Sequence, residues 1–481
     1  MNSLKSLSVE LLLVIFVVVI QSVLGYSNFN SRAKRSDEYF VVSFEDDPNP
    51  GQPLYVTPLL KAGAVDYARN KAEVVHSQMH VRSYAGYFTV NETLNSNLFF
   101  WFFPATQVSP ENASVLLYLG GQARGNLFSD IFTQNGPFEM KHGNFLDPRK
   151  ESWNNKLNVI YIDAQVGSGY SFTDSDAGYP TSQKQIADDL YTALKQFFQL
   201  FPSLQQNHFF LAAHGYASKI VLELCTLIYD RKISEPKKIN LEGIVIANGI
   251  VDPVNQFVFA NFLRNNELIE ATDESWFSGQ EEHIRQWITQ NNHIQAFDMY
   301  ERLIMGKSSY FNNITGYLYP YNVLKAGDEG NSYFSNEWIQ YNEQRRALHV
   351  GSNHYTELNV IALNSLRDQV TISQAKRLSE ALDNYFRVLV YTGIHDILCS
   401  PLSVQNYLGC LKWRYSDQFR QADRELWRVS NGQLAGYIKK SHEPGSIYLT
   451  EVIVRNAGHF SSHDQPQWTL ELVEKFVEDS L

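Results

Sequence analysis

The sequence predicts an α/β fold, a central and mostly parallel sheet flanked by helices with a helical cap inserted. Three observations carry this. Short apolar runs alternate with amphipathic helical stretches along most of the chain, the pattern of strands joined by helical crossovers. The stretch His208–Ile220 (HFFLAAHGYASKI) reads as strand, sharp turn and helix. From about Pro253 to Leu348 the strand pattern disappears, and polar helical sequence broken at Asn291-Asn292, Gly306 and Asn312-Asn313 replaces it.

Strands are expected at Leu98–Phe103, Val115–Leu119, Val159–Ile162, His208–Ala212, Leu241–Ala247, Val388–Tyr391 and Tyr448–Val454. Each is a run too short for a helix, bounded by turn residues. Thr181–Phe198 reads as a helix because Ile186, Leu190, Leu194 and Phe197 fall on one face. Leu470–Val477 reads as a closing helix. The resulting organisation is a leader (1–25), a short following segment (26–35), the first part of the main domain (36–252), the helical cap (253–348) and the second part of the main domain (349–481).

The leader has the form of a secretory signal. Lys5 supplies the positive end, Leu11–Ile20 is ten apolar residues, and Val23 and Gly25 are small enough for a cleavage site. A spanning helix needs roughly 20 apolar residues, which this run does not reach. No membrane association is therefore expected once the signal is removed. The sequence Arg32-Ala33-Lys34-Arg35 reads either as a processing site that would start the mature chain at Ser36, or as a basic patch in a leader. Secretion is expected, with lysosomal delivery as the alternative. The sequons at Asn91, Asn112 and Asn313 fit either route and predict N-linked glycans.

The 481 residues carry a formal net charge of −11, which gives no attraction to a phosphate backbone and argues against a nucleic-acid partner. Three cysteines, Cys225, Cys399 and Cys410, are too few for a disulfide framework. The pairs His76/His80 and His459/His463 have metal-like spacing without an H-E-x-x-H pattern, so no metal and no cofactor are expected.

The strand–turn–helix at 208–220 is where α/β-hydrolases present a nucleophile, in a G-x-S-x-G motif or a close variant. Residues 213–220 read A-H-G-Y-A-S-K-I, which resembles the G-E-S-Y-A-G-K-Y of the serine carboxypeptidases with Gly215 in place of the serine. Other segments resemble the same family in order: 163–172 (D-A-Q-V-G-S-G-Y-S-F), 240–253 (N-L-E-G-I-V-I-A-N-G-I-V-D-P) and Ala347-Leu-His-Val350. Residues 47–54 and 95–104 resemble its vitellogenic-like branch. The resemblance runs from about Pro48 to the C-terminus and implies an α/β-hydrolase fold.

It also implies roles for single residues. Asp396, in Y-T-G-I-H-D after a strand, and His459, in A-G-H, match the family's triad acid and base, in the chain order nucleophile–acid–base. Gly121 and Gln122 match the two glycines of the oxyanion loop, the second being lost, and Tyr216 follows the nucleophile position. The receptor for a substrate's terminal carboxylate falls at Gly120, Gln134 and His214, where the family has amide and carboxyl groups. Both acids are gone, and His214, as a cation at low pH, is the group left to take an anion. Ser218, inside the helix, is expected to be structural.

These departures predict a serine carboxypeptidase homologue that binds a peptide or protein without cutting it. Two alternatives stand beside it. One is an active carboxypeptidase that removes C-terminal residues at acidic pH, and the other is a bulk secretory or yolk-type protein. Nothing in the sequence sets an oligomeric state.

Overall fold

A computed structural model describes residues 48–120, 127–141, 145–232, 234, 238–306, 308–327, 337–357, 359–441 and 448–481. The leader, the basic site at 32–35, Gly121 and Gln122 lie outside them. The strands are β1 (Tyr84–Asn91), β2 (Ser96–Phe103), β3 (Val115–Leu119), β4 (Phe138–Lys141), β5 (Phe145–Pro148), β6 (Asn158–Ile162), β7 (Phe209–His214), β8 (Leu241–Ala247), β9 (Arg387–Gly393), β10 (Glu425–Arg428), β11 (Leu434–Lys440) and β12 (Leu449–Val454). Ten of them form one sheet in the order β1-β2-β6-β3-β7-β8-β9-β12-β11-β10, and β4 and β5 pair separately.

The sheet's centre is parallel from β6 through β12, and its two margins are antiparallel. The central strands β3, β6 and β7 are buried along their whole length, because helices cover both faces of a parallel sheet. That is why they read as unbroken apolar runs. In β2, Leu98, Phe100 and Phe102 join one apolar cluster while Phe99, Trp101 and Phe103 join the other, as alternation along a strand requires. Trp101 is fully buried and gives its Nε1–H to Ser83 Oγ at 3.0 Å.

Two long helices cover the first face. The helix α1, Gln183–Leu200, starts at Ser182, whose side chain caps Gln185 N, and buries Ile186, Leu190, Leu194 and Phe197. The helix α2, Ala217–Arg231, follows β7 after a turn of two residues and buries Ile220, Leu224 and Ile228. The helix α3, Pro466–Val477, closes the other face; it begins four residues before the expected Leu470, with proline at its first position.

The margins are what the sequence pattern did not disclose. β10 exposes three of its four residues and β11 is only half buried, so neither carries a continuous apolar run. The strand expected at His208–Ala212 runs instead over β7, and His214 is its last residue. Between β8 and β9 the described residues form helices and loops only, and a third apolar cluster built around Phe257, Phe277, Tyr300 and Phe311 lies mostly in this stretch. Among the described residues, no helix is long and apolar enough to cross a membrane.

Candidate active site

In open α/β sheets, sites form beyond the carboxyl ends of the parallel strands. Here the loops after β3, β7, β8, β9 and β12 hold Gly120, Gly215, Asn248, Asp396 and His459.

Gly215 occupies the turn between β7 and α2 with φ +58°. That is a left-handed conformation which glycine adopts without a steric penalty. Its N–H donates to Ala247 O at 3.1 Å, and its carbonyl accepts from Ile250 N at 3.1 Å. The turn is thus pinned to the segment after β8.

Asp396 and His459 meet. His459 Nδ1 lies 2.9 Å from Asp396 Oδ2, and Asp396 is fully buried. The carboxyl group is held from every side. Its Oδ1 accepts from Leu398 N (2.8 Å) and Cys399 N (3.0 Å), and its Oδ2 also accepts from Asn248 Nδ2 at 2.8 Å. Asn248 has a left-handed backbone of its own, φ +46°, which asparagine tolerates better than most residues. Its Oδ1 accepts from Ser461 Oγ at 2.8 Å. Neither Asn248 nor Ser461 stands out in the sequence as a site residue. The only hint is Asn248-Gly249 at the end of a strand.

Asp396, Cys399 and His459 are also the one cluster of three metal-ligating side chains among the described residues. Its chemistry suits a hydrogen-bonded dyad better than a metal. Both carboxyl oxygens already accept two hydrogen bonds, and burial pushes the Cys399 thiol well above its ordinary range, which keeps it protonated. All three cysteines are free thiols.

The other side of the site corrects two expectations. His214 is not a low-pH cation. It is buried, its Nε2 is bonded to His459 O at 2.9 Å, and its ring lies 4.6 Å from that of His459. Burial, reinforced by the neighbouring imidazole, pushes its pKa down to about 3, so it stays neutral even in acid. Nor is the site without an acid. A Cβ placed on Gly120 would fall 1.6 Å from Asp130 Oδ2. The Asp130 side chain therefore fills the volume that a side chain at 120 would take.

Asp130 ends the helical turn Leu127–Asp130, and Gln134 lies in the π-helical turn that follows, Ile131–Asn135. Gln134 Nε2 donates to Asp130 Oδ1 at 2.5 Å, while Asp130 Oδ2 has no hydrogen-bond partner among the described residues. Burial raises the Asp130 pKa to about 7, with a smaller contribution from Asp163. Asp163 is itself raised to about 7 by burial. The sequence could not single out Asp130, because its significance depends on the empty place at Gly120, ten positions away.

Tyr216 is buried at the head of α2, where its hydroxyl accepts from Gln183 Nε2 at 3.5 Å. Ser218 is fully buried with no partner for its hydroxyl, packed against Gly249. Asn91, Asn112 and Asn313 are all exposed.

With this geometry in view, three relatives are informative. The chain is 38% identical to the venom serine carboxypeptidase of Apis mellifera, over 97% of this chain and 98% of that protein. It is 33% identical to the probable serine carboxypeptidase CPVL of Homo sapiens, over 91% and 92%. It is 35% identical to the vitellogenic carboxypeptidase of Aedes aegypti, over 89% and 90%. The family model for serine carboxypeptidases matches residues 74–479. The chain belongs to the serine carboxypeptidase family.

The crystal structure of a prohormone-processing carboxypeptidase from Saccharomyces cerevisiae superposes with a TM-score of 0.71 at 17% identity, covering 85% of this chain and 96% of that one. This serine carboxypeptidase homologue therefore has the α/β-hydrolase fold, with its mostly parallel sheet flanked by helices.

Proposed function

We propose that the protein is a secreted serine carboxypeptidase homologue that holds a peptide, or the end of a protein chain, without cutting it. One observation carries the reading. At the strand–turn–helix where the family's motif has its serine stands Gly215, which has no side chain to attack a carbonyl. Removing the nucleophile from a serine hydrolase costs on the order of 10⁶ in kcat. The bonded pair Asp396–His459 remains, yet residue 215 offers the imidazole no hydroxyl to deprotonate.

Asp130 supports binding. Below pH 7 it is a neutral acid with one oxygen unpartnered, and a neutral carboxyl can donate to a carboxylate or a carbonyl of a ligand. Secretion is supported by the signal-like leader and by relatives named for venom and for vitellogenesis.

The test is recovery of the ligand. The purified protein is incubated at acidic pH with a mixture of short peptides, freed of unbound material, and the retained peptides are identified by mass spectrometry. The proposal expects retained peptides of unchanged length. Peptides shortened by their last residue would instead favour a water molecule activated by His459, the reading that the intact dyad supports second. Retention of nothing would favour a bulk protein with no specific ligand.

A further inference from the structure

The histidine of the dyad is not held by the sheet alone. The inserted stretch between β8 and β9 sends residues 317–327 back to it. This loop is braced internally, with Tyr317 OH donating to Val323 O at 2.7 Å and Leu318 N to Ala326 O at 2.8 Å. Its Tyr321 carbonyl accepts from His459 N at 2.7 Å. The Tyr321 ring stacks on the His459 imidazole at 5.4 Å and 17°, and Tyr319 stacks on Tyr321 at 5.4 Å and 6°. On the dyad's other flank, Val323 N donates to His395 O at 3.0 Å, next to Asp396.

One side chain gathers these contacts. Asp464, five residues beyond His459, is nearly buried. Its Oδ2 accepts from Gly458 N at 2.8 Å and from Asn322 Nδ2 at 3.2 Å, and its Oδ1 pairs with Lys325 Nζ at 2.8 Å. It therefore binds the residue before the histidine and two residues of the inserted loop at once. The approach is close. A Cβ on Gly458 would fall 2.5 Å from Tyr321 O and 2.7 Å from Asn322 Cβ, so glycine is needed for the loop to seat.

We propose that Asp464 is a positioning residue that clasps the inserted loop 317–327 to the backbone at Gly458, so that the ring of Tyr321 fixes the plane of the His459 imidazole. Asp396 fixes the imidazole at Nδ1, and the clasped loop fixes its face and its backbone. A group held at one nitrogen alone can still swing about that bond; the stacked Tyr321 ring limits that freedom together with the His214 and Phe460 rings. A contact on the loop and the setting of the histidine are then linked, and the linkage acts in both directions. The proposal concerns the cleft of the proposed function and stands whether or not that cleft turns over substrate.

The test reads the histidine directly, so it is separable from any assay of binding or cleavage. In the full-length protein the ring signals of His459 are followed in carbon–proton correlation spectra, assigned by their loss in His459→Gln. Exchange of the His459 amide is followed alongside. Tyr321→Leu should remove the Tyr321 share of the ring-current displacement, leaving that of the His214 and Phe460 rings, while the amide stays protected, since that bond uses a backbone carbonyl. Asp464→Ala should remove that same share and also speed exchange at His459 by about tenfold or more, with the amides of Ala213 and Val390 in the sheet unchanged. Asp464→Asn, which keeps an acceptor for Gly458 N, should fall between natural protein and Asp464→Ala.

A folded Asp464→Ala protein with unaltered His459 ring signals and amide exchange would overturn the proposal. If that variant does not fold, Lys325→Met combined with Asn322→Ala leaves the bond from Gly458 N in place and is read in the same way. Loss of the Tyr321 share of the displacement supports the clasp, and its persistence refutes it.

Discussion

The two flanks of the candidate site differ in how completely their polar groups are satisfied. On the flank built from the ends of β8, β9 and β12, both Asp396 oxygens accept two hydrogen bonds, and the Asn248 amide is bonded at both its ends. On the flank built from the end of β3 and the start of α2, Asp130 Oδ2 and Ser218 Oγ are buried without partners among the described residues. Buried polar groups are normally paired, since leaving one unpaired costs about 1–3 kcal/mol. The first flank therefore contributes to stability as it stands. The second carries two groups left uncompensated among the described residues, one of them inside the helix at Ser218.

The sharpest way to break the contrast is at Asp396. Asp396→Ala strands the N–H groups of Leu398 and Cys399 and the His459 ring nitrogen in one step, while the Asn248 amide keeps Gly458 O and Thr392 Oγ1, and is expected to cost about 3–5 kcal/mol. Urea unfolding of the two proteins measures it. A loss no larger than that of an ordinary surface substitution would mean that the dyad flank is not a satisfied network.

Next is the place shared by Gly120 and Asp130. Gly120→Ala puts a methyl group into the Asp130 carboxyl and should destabilise by about 1–3 kcal/mol through overpacking. Asp130→Gly in the same chain should recover most of that loss. Additive effects in the double variant would show that the two positions do not share a volume.

The charge of Asp130 gives a third comparison. Its pKa is about 7 in the folded chain against 3.8 ordinarily. Between those values the unfolded chain has lost the proton and the folded chain keeps it. Stability therefore falls as pH rises from about 4 to about 7, and levels off above that. Relative to Asp130→Asn, the natural protein should lose stability across that window; Asp163 titrates in both proteins and cancels except for its repulsion of Asp130. A pH-independent difference would place a charged Asp130 in the folded protein.

The smallest effect is expected at Ser218. Removing its buried, unpartnered hydroxyl in Ser218→Ala should be neutral or stabilise by up to about 1 kcal/mol. A clear loss of stability would assign the hydroxyl a partner.

The central strands and the turn at Gly215 were legible in the sequence, because strands buried on both faces leave unbroken apolar runs and a strand–turn–helix leaves a recognisable seam. Asp396 and His459 were legible through their motifs. What stayed hidden depends on three-dimensional proximity. The half-exposed margins β10 and β11 carry no apolar run. Asp130 matters only because Gly120 leaves room for it, and Tyr321 lies between β8 and β9 in sequence that has no pattern pointing back to His459. His214 was misread for the same reason: an imidazole at the end of a strand looks titratable until its burial beside a second imidazole is seen.

The central claim is that the reaction was lost with one side chain. It is tested most directly by the release of C-terminal residues from blocked dipeptides between about pH 4 and 7, a range spanning carboxylate and histidine titration. The natural protein is measured beside His459→Ala, Gly215→Ser and Gly215→Ser/His459→Ala. The account predicts no turnover by the natural protein above the uncatalysed rate, and any activity gained by Gly215→Ser should vanish when His459 is removed. Turnover by the natural protein that disappears in His459→Ala would contradict it and place a working nucleophile elsewhere in the cleft.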